Sequence, residues 1–248
     1  MANEFERGTV IQGRTAAAEQ IDEGLRAYML RVYNYMTTGL ALTGIVAWLV
    51  ASTPALLQLF YAPTPQGGFQ PTILAWIAML SPLAFVMVLS FGVHRMKAST
   101  AQLLFWLFAG VMGLSMAHIF ITFTGASIAR VFFITAATFA AMSLYGYTTK
   151  RDLSGWGTFL FMGLIGIIIA SIVNIFIGSS MIQFVVSVIG VLVFVGLTAY
   201  DTQRIKEMYN ELDNSEVAGK KAIMGALSLY LNFINLFMML LHLFGQRE

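Results

Sequence analysis

Residues 156–177 read WGTFLFMGLIGIIIASIVNIFI, twenty-two consecutive positions without a charged side chain. A helix that crosses the hydrocarbon of a bilayer needs about 20 such residues. Six further stretches reach the same length, at 30–52, 72–93, 98–122, 128–148, 181–203 and 223–244. The expected fold is therefore an all-α integral membrane protein of seven transmembrane helices. Composition agrees: 58% of the 248 residues are hydrophobic and 10% are charged, where soluble domains carry about 25% charged residues. The net charge of +2 is too mild to argue for nucleic acid.

The connections carry turn chemistry. Pro54, Pro63, Pro65, Pro71 and Gly67-Gly68 mark a loop at 54–71, and Pro82 should kink the second span. Gly125-Ala126-Ser127 and Gly178-Ser179-Ser180 read as tight turns, and 206–221 is the one long charged connection. Residues 1–27 are polar, carry both charge signs and read as a cytoplasmic tail without a cleavable signal. Residues 28–248 read as one membrane domain. Gly110, Gly113, Gly163, Gly166 and Gly178 read as close-packing positions between helices.

Basic residues orient the chain. Arg7, Arg14, Arg26 and Arg31 precede or open span 1, Arg95 and Lys97 follow span 2, and Lys150 and Arg151 follow span 4. Arg204, Lys206, Lys220 and Lys221 flank the loop after span 6, so twelve of the fourteen share one side. That side is expected to be cytoplasmic, with the C-terminus outside if span 7 crosses fully. A re-entrant span 7 would return Arg247 to the cytoplasm. Trp48, Trp76 and Trp156 sit where interfacial anchors belong.

Among twelve acidic residues, Asp201 alone abuts a long apolar stretch. A carboxylate at the margin of hydrocarbon is costly and marks a functional site by default. Gln183, Ser187, Gly190, Thr198 and Asp201 recur at steps of three and four on span 6, with Phe194 interrupting between Gly190 and Thr198. Ser228, Asn232, Asn235, Met239 and His242 do so on span 7. Each set falls on one helix face, so the two faces are candidates for a shared polar lining. The structural alternative is interhelical hydrogen bonding, which averages about 0.6 kcal/mol in membrane proteins. For Asp201 the alternative is a helix-end acid paired with Arg204 at i+3.

The chain has no cysteine, which excludes disulfides, thiolate catalysis and Cys-based metal sites. His94, His118 and His242 lie on different spans without metalloprotease spacing. No nucleophile–base pattern and no phosphate loop is present. The expectation is a non-enzymatic protein with no cofactor and no resident metal.

Three strings carry a family resemblance: Ser81-Pro82-Leu83 running into Val88-Leu89-Ser90-Phe91, Leu197–Ile205 (LTAYDTQRI) and Leu227–Phe237 (LSLYLNFINLF). From span 2 onward the chain resembles the transmembrane Bax-inhibitor-motif family, in its bacterial branch. The resemblance implies seven helices with the C-terminal one central, and residence in a bacterial inner membrane. It also implies a pH-sensitive calcium leak set by two aspartates, one in span 6 and one in span 7, latched by an arginine at the end of span 2.

The span 6 aspartate corresponds to Asp201. The span 7 position holds Asn232, and the span 2 arginine falls at His94 or Arg95. Two carboxylates in contact titrate as a coupled pair, and an amide cannot take part. The expectation is a cation leak channel or transporter, with Asp201 near a polar pore, a transient calcium ion at Asp201 as the resemblance implies, and weak pH dependence. The alternative, also implied by the family, is a non-conducting regulator that binds a membrane protease or another membrane partner.

Asp201–Asn232 contact requires either a late start of span 7, near Gly225, or protein covering the cytoplasmic end of span 6.

Overall fold

A computed structural model describes residues 23–64 and 68–247. Seven helices are long and apolar enough to cross a membrane, by length and composition. They belong to α1 (Ala2–Ser52), α3 (Ile73–Gly92), α4 with α5 (Ala98–Met116 and Ile119–Thr122), α6 (Gly125–Thr148), α7 (Ser154–Ile177), α8 (Ser180–Glu207) and α9 (Ser215–Phe244). The chain is an all-α integral membrane protein. Residues 1–22 of the expected polar tail lie outside the described residues. The expected boundary at residue 27 falls inside α1, which is helical through it.

Helix ends follow capping rules. Thr72, Thr124, Ser179 and Asn214 each accept a backbone N–H from the first turn of the helix they precede. Gly178 closes α7 with φ of 68°, the left-handed conformation that glycine adopts without a Cβ penalty. The tight turn expected at 125–127 is instead the first turn of α6, because Thr124 caps at Ser127. The proline-rich loop holds local structure. Pro54 opens α2 (Pro54–Phe60), and β1 (Tyr61–Pro63) pairs antiparallel with β2 (Phe69–Pro71). Asp152, in the turn before α7, has its carboxyl held below the usual range by hydrogen bonds from Ser154.

Pro82 leaves the Ala78 carbonyl without its i+4 donor. The Ser81 hydroxyl donates to that carbonyl at 3.1 Å, and α3 runs unbroken from Ile73 to Gly92. Side chains supply such missing bonds inside membrane helices.

α9 packs against α1, α4, α6 and α8. Its membrane window is 67% buried, against 39% at most for any other span, and α7 is the least buried at 11%. Trp48, Trp76 and Trp156 are exposed, as lipid-facing anchors would be. Of the five glycines expected at helix contacts, Gly113 and Gly163 lie against Val46 and Val193, whereas Gly110, Gly166 and Gly178 face open space. Other close approaches put Gly24 on the Tyr209 hydroxyl, Gly146 on the Ala199 backbone, Gly157 on the Tyr200 ring and Gly190 on the Met239 side chain.

At 1.5 Å per residue the 30 residues of α9 extend about 45 Å. The helix is unbroken, and the segment after it ties to the 123–127 turn. Thr124 N–H donates to the Gln246 carbonyl at 3.0 Å, and Gln246 N–H to the Ser127 hydroxyl at 2.9 Å. A re-entrant last span is therefore not what forms. α9 runs the length of the bundle.

Candidate functional site

Asp201 and Asn232 meet. The Asn232 side-chain amide donates to Asp201 Oδ2 at 2.7 Å. Asn232 is buried at 5% exposure and Asp201 is partly buried. A late start of α9 is not what brings them together, since it begins at Ser215. Instead α8 continues six residues past Asp201 to Glu207, about 9 Å of further helix. The first two turns of α9 and the 208–214 loop then cover that end. Lys221 Nζ bonds the Met208 carbonyl at 2.9 Å and the Asp213 carboxylate at 2.6 Å. Asp201 is thus partly covered by protein, whereas the sequence reading placed it at the hydrocarbon margin.

The expected latch does not form. His94 and Arg95 are exposed in the turn after α3, and neither bonds Asp201. Arg204 is also exposed and makes no ion pair with it. Among the described residues the one side-chain ion pair is Lys221–Asp213. α3 packs chiefly on α4, and the turn after it meets the first turns of α9, where Lys220 donates to the Met96 carbonyl at 3.4 Å and Ala98 N–H to the Glu216 carboxylate at 2.6 Å.

The two polar faces do not form one continuous lining. Hydroxyl groups of Ser187, Thr198 and Thr202 donate to carbonyls four residues back, those of Gln183, Phe194 and Thr198, at 2.7–2.8 Å. Asn235 returns its amide to the Leu231 carbonyl at 2.8 Å. These groups are satisfied within their own helices, the usual fate of hydroxyls in apolar surroundings. Ser228 is half-buried. Gln183 and Ser187 lie about 27 and about 21 Å along α8 from Asp201, by the residue rise. They line a separate cavity of ≈ 400 Å³ with Asn174, Met239 and His242. Between the two polar ends the α8–α9 seam is closed by Met239 on Gly190 and by buried Phe194, Leu197 and Leu236.

Two further polar chains escaped the sequence reading. The Tyr33 hydroxyl bonds Ser143 Oγ at 2.5 Å, and Ser143 Oγ bonds Thr202 Oγ1 at 2.9 Å, joining α1, α6 and α8. Tyr230 Oη bonds Thr43 Oγ1 at 2.6 Å, and Thr43 donates to the Ala109 carbonyl at 2.8 Å, joining α9, α1 and α4. Gln203 is buried as well. It accepts Leu153 N–H at 2.8 Å and donates to the Arg151 carbonyl at 2.9 Å, which pins the turn before α7. Gln203 sits inside the LTAYDTQRI string, where its proximity to Asp201 was the available signal. The partners on α1 and α6 had none, because single hydroxyls on those spans fall on no polar stripe.

Fold and site together define a seven-span helical membrane protein with a carboxylate–amide pair clasping its last two helices. The family model described as "Inhibitor of apoptosis-promoting Bax1" matches residues 25–248, and the chain belongs to that Bax-inhibitor family. An uncharacterised protein of Rickettsia prowazekii is 48% identical, over 94% of this chain and 95% of its own length. The inner membrane protein YbhL of Escherichia coli K12 is 47% identical, over 95% of this chain and 98% of its own. An uncharacterised protein of Caulobacter vibrioides is 42% identical, over 98% of each.

Proposed function

We propose that the protein is a calcium-permeable cation leak of a bacterial inner membrane, held closed in this conformation, with the Asp201–Asn232 pair as its ion and proton site. The supporting observation is the 2.7 Å bond between them. Among the described residues it is the one side-chain hydrogen bond between α8 and α9, and its acceptor is a carboxylate inside a membrane span. Such groups mark ion or proton pathways. Asn232 offers a carbonyl oxygen beside the carboxylate, and both are ligand types that calcium takes. The apolar seam between Asp201 and the ≈ 400 Å³ cavity at the other end corresponds to a closed gate. The basic residues on the Asp201 side orient that end toward the cytoplasm, and the inner membrane follows the relative's name.

The test is calcium flux into proteoliposomes of the purified chain. Flux above that of empty liposomes, abolished by Asp201→Asn, is the expected result. Flux no greater than in empty liposomes removes the channel reading.

A second reading, a regulator that binds a membrane partner, is favoured by one feature. Leu212, at the tip of the 208–214 loop, is 86% exposed outside the spans. An apolar side chain there fits a docking contact better than a solvated turn. Crosslinking in membranes should lose a partner on Leu212→Asp while flux is unchanged. An unaltered crosslinking pattern counts against it.

A further inference from the structure

α1 and α6 stand side by side, joined at Tyr33–Ser143 but otherwise apart, α1 packing on α4 and α9 and α6 on α8 and α9. The gap between them is a groove of ≈ 1070 Å³ with lipid-exposed rims at Leu30, Ile45 and Leu144. A second cavity of ≈ 300 Å³ continues it and shares Leu40, Gly44, Phe132 and Phe233. Phe132 and Phe139 pack edge-on to Phe233 of α9, with ring centroids 5.6 and 5.5 Å apart, and make the floor. Ala41 and Gly44 on α1 oppose Ala136 and Ala140 on α6. Small residues on neighbouring membrane helices ordinarily let the backbones close up. Here they leave volume, and a dry apolar volume of this size open to the bilayer is filled by hydrocarbon and not by water.

The groove has one charged lining residue, Arg26, at the end of the bundle that carries the 208–214 loop. Tyr147 lines the same end from α6. Lys206 lies over its ring, 5.2 Å from the centroid, and donates to its carbonyl at 2.9 Å. Two cations therefore flank the mouth of an apolar slot. From Arg26 to Ile45 the groove follows α1 for about 28 Å, longer than the ~15 Å of one leaflet's hydrocarbon. Basic pockets between membrane helices hold anionic headgroups.

We propose that this groove is a binding site for an anionic glycerophospholipid. One acyl chain lies between α1 and α6 over Phe139 and Phe233, and the phosphate sits at Arg26 and Lys206. The assignment does not depend on whether the protein conducts.

The experiment uses the full chain in neutral detergent, with phosphatidylglycerol or phosphatidylcholine of the same acyl chains added. Thermal unfolding and native mass spectrometry are the readouts. Wild type should gain several degrees more from phosphatidylglycerol than from phosphatidylcholine and retain one lipid. Arg26→Gln combined with Lys206→Gln should equalise the two lipids. Gly44→Phe should lose the retained lipid yet melt like wild type in detergent alone, because a Cβ at Gly44 meets nothing within 4 Å. Ala140→Leu fills the slot from the opposite wall and serves as the second variant. Equal gains from both lipids in wild type would overturn the headgroup site. Retention of phosphatidylglycerol by both filled variants would overturn the groove.

Discussion

Asn232→Asp converts the clasp between α8 and α9 into a pair of carboxyl groups. The amide nitrogen lies 2.7 Å from Asp201 Oδ2, so two carboxylates in the same rotamers have charge centres about 4 Å apart. At that separation, with an effective dielectric constant near 20, repulsion costs about 4 kcal/mol. At 1.36 kcal/mol per tenfold, the doubly ionised pair is disfavoured by roughly a thousandfold. The variant pair therefore holds one shared proton across about three pH units. The Asn232 amide donates an N–H to Asp201 but does not titrate, so the wild type lacks this coupling. Calcium flux into proteoliposomes should vary weakly between pH 6 and 8 for wild type and on the order of tenfold for Asn232→Asp. Asp201→Asn in the Asn232→Asp background should flatten the response again. A wild-type response as steep as that of Asn232→Asp would refute the reasoning, because the steepness would then come from a group outside the pair.

Three other perturbations probe the helices around the pair. Gly146→Val pushes a side chain into the Ala199 backbone and should cost about 1–3 kcal/mol, read as a lowered melting temperature in detergent; an unchanged melt contradicts the close approach of α6 and α8. Met239→Ala removes the side chain that covers Gly190 and should raise calcium flux by joining the ≈ 400 Å³ cavity to the Asp201 end; unaltered flux would show that the closure lies elsewhere. Tyr230→Phe deletes the bond to Thr43, whose hydroxyl keeps the Ala109 carbonyl, so chemical denaturation should register only about 0.6 kcal/mol; a loss above 2 kcal/mol would mean that Tyr230 supports more than that bond.

The seven spans were legible because bilayer thickness imposes a length that composition alone reveals. Their ends were less so, for local reasons. Thr124 capping at Ser127 turned an expected turn into the first turn of α6. Asp201 and Asn232 were legible as candidates through their strings, but their contact was not. It depends on α8 running on to Glu207 and α9 starting at Ser215, and hydropathy cannot see helix that extends beyond the hydrocarbon. The arginine latch failed for a tertiary reason, since the turn after α3 meets α9 through Met96 and Ala98 while His94 and Arg95 stay exposed. Tyr33, Ser143 and Thr202 lie on three helices, and no spacing within one helix announces a contact among three.

The polar faces also show why helical periodicity overstates a pore. A hydroxyl at step three or four points to the same side as its neighbours, but in an apolar environment it bonds its own helix's carbonyl before it reaches across. Thr198 and Ser187 do so. A carboxylate has no proton to give when ionised and cannot be satisfied that way. It has to find a donor on another helix, and on α9 the donor is the Asn232 amide. An amide serves that role with nearly the same shape as a carboxyl group. The clasp between α8 and α9 and the capacity to titrate are therefore separable properties of position 232. The bond can hold the two helices together while any response to pH depends on which side chain stands there.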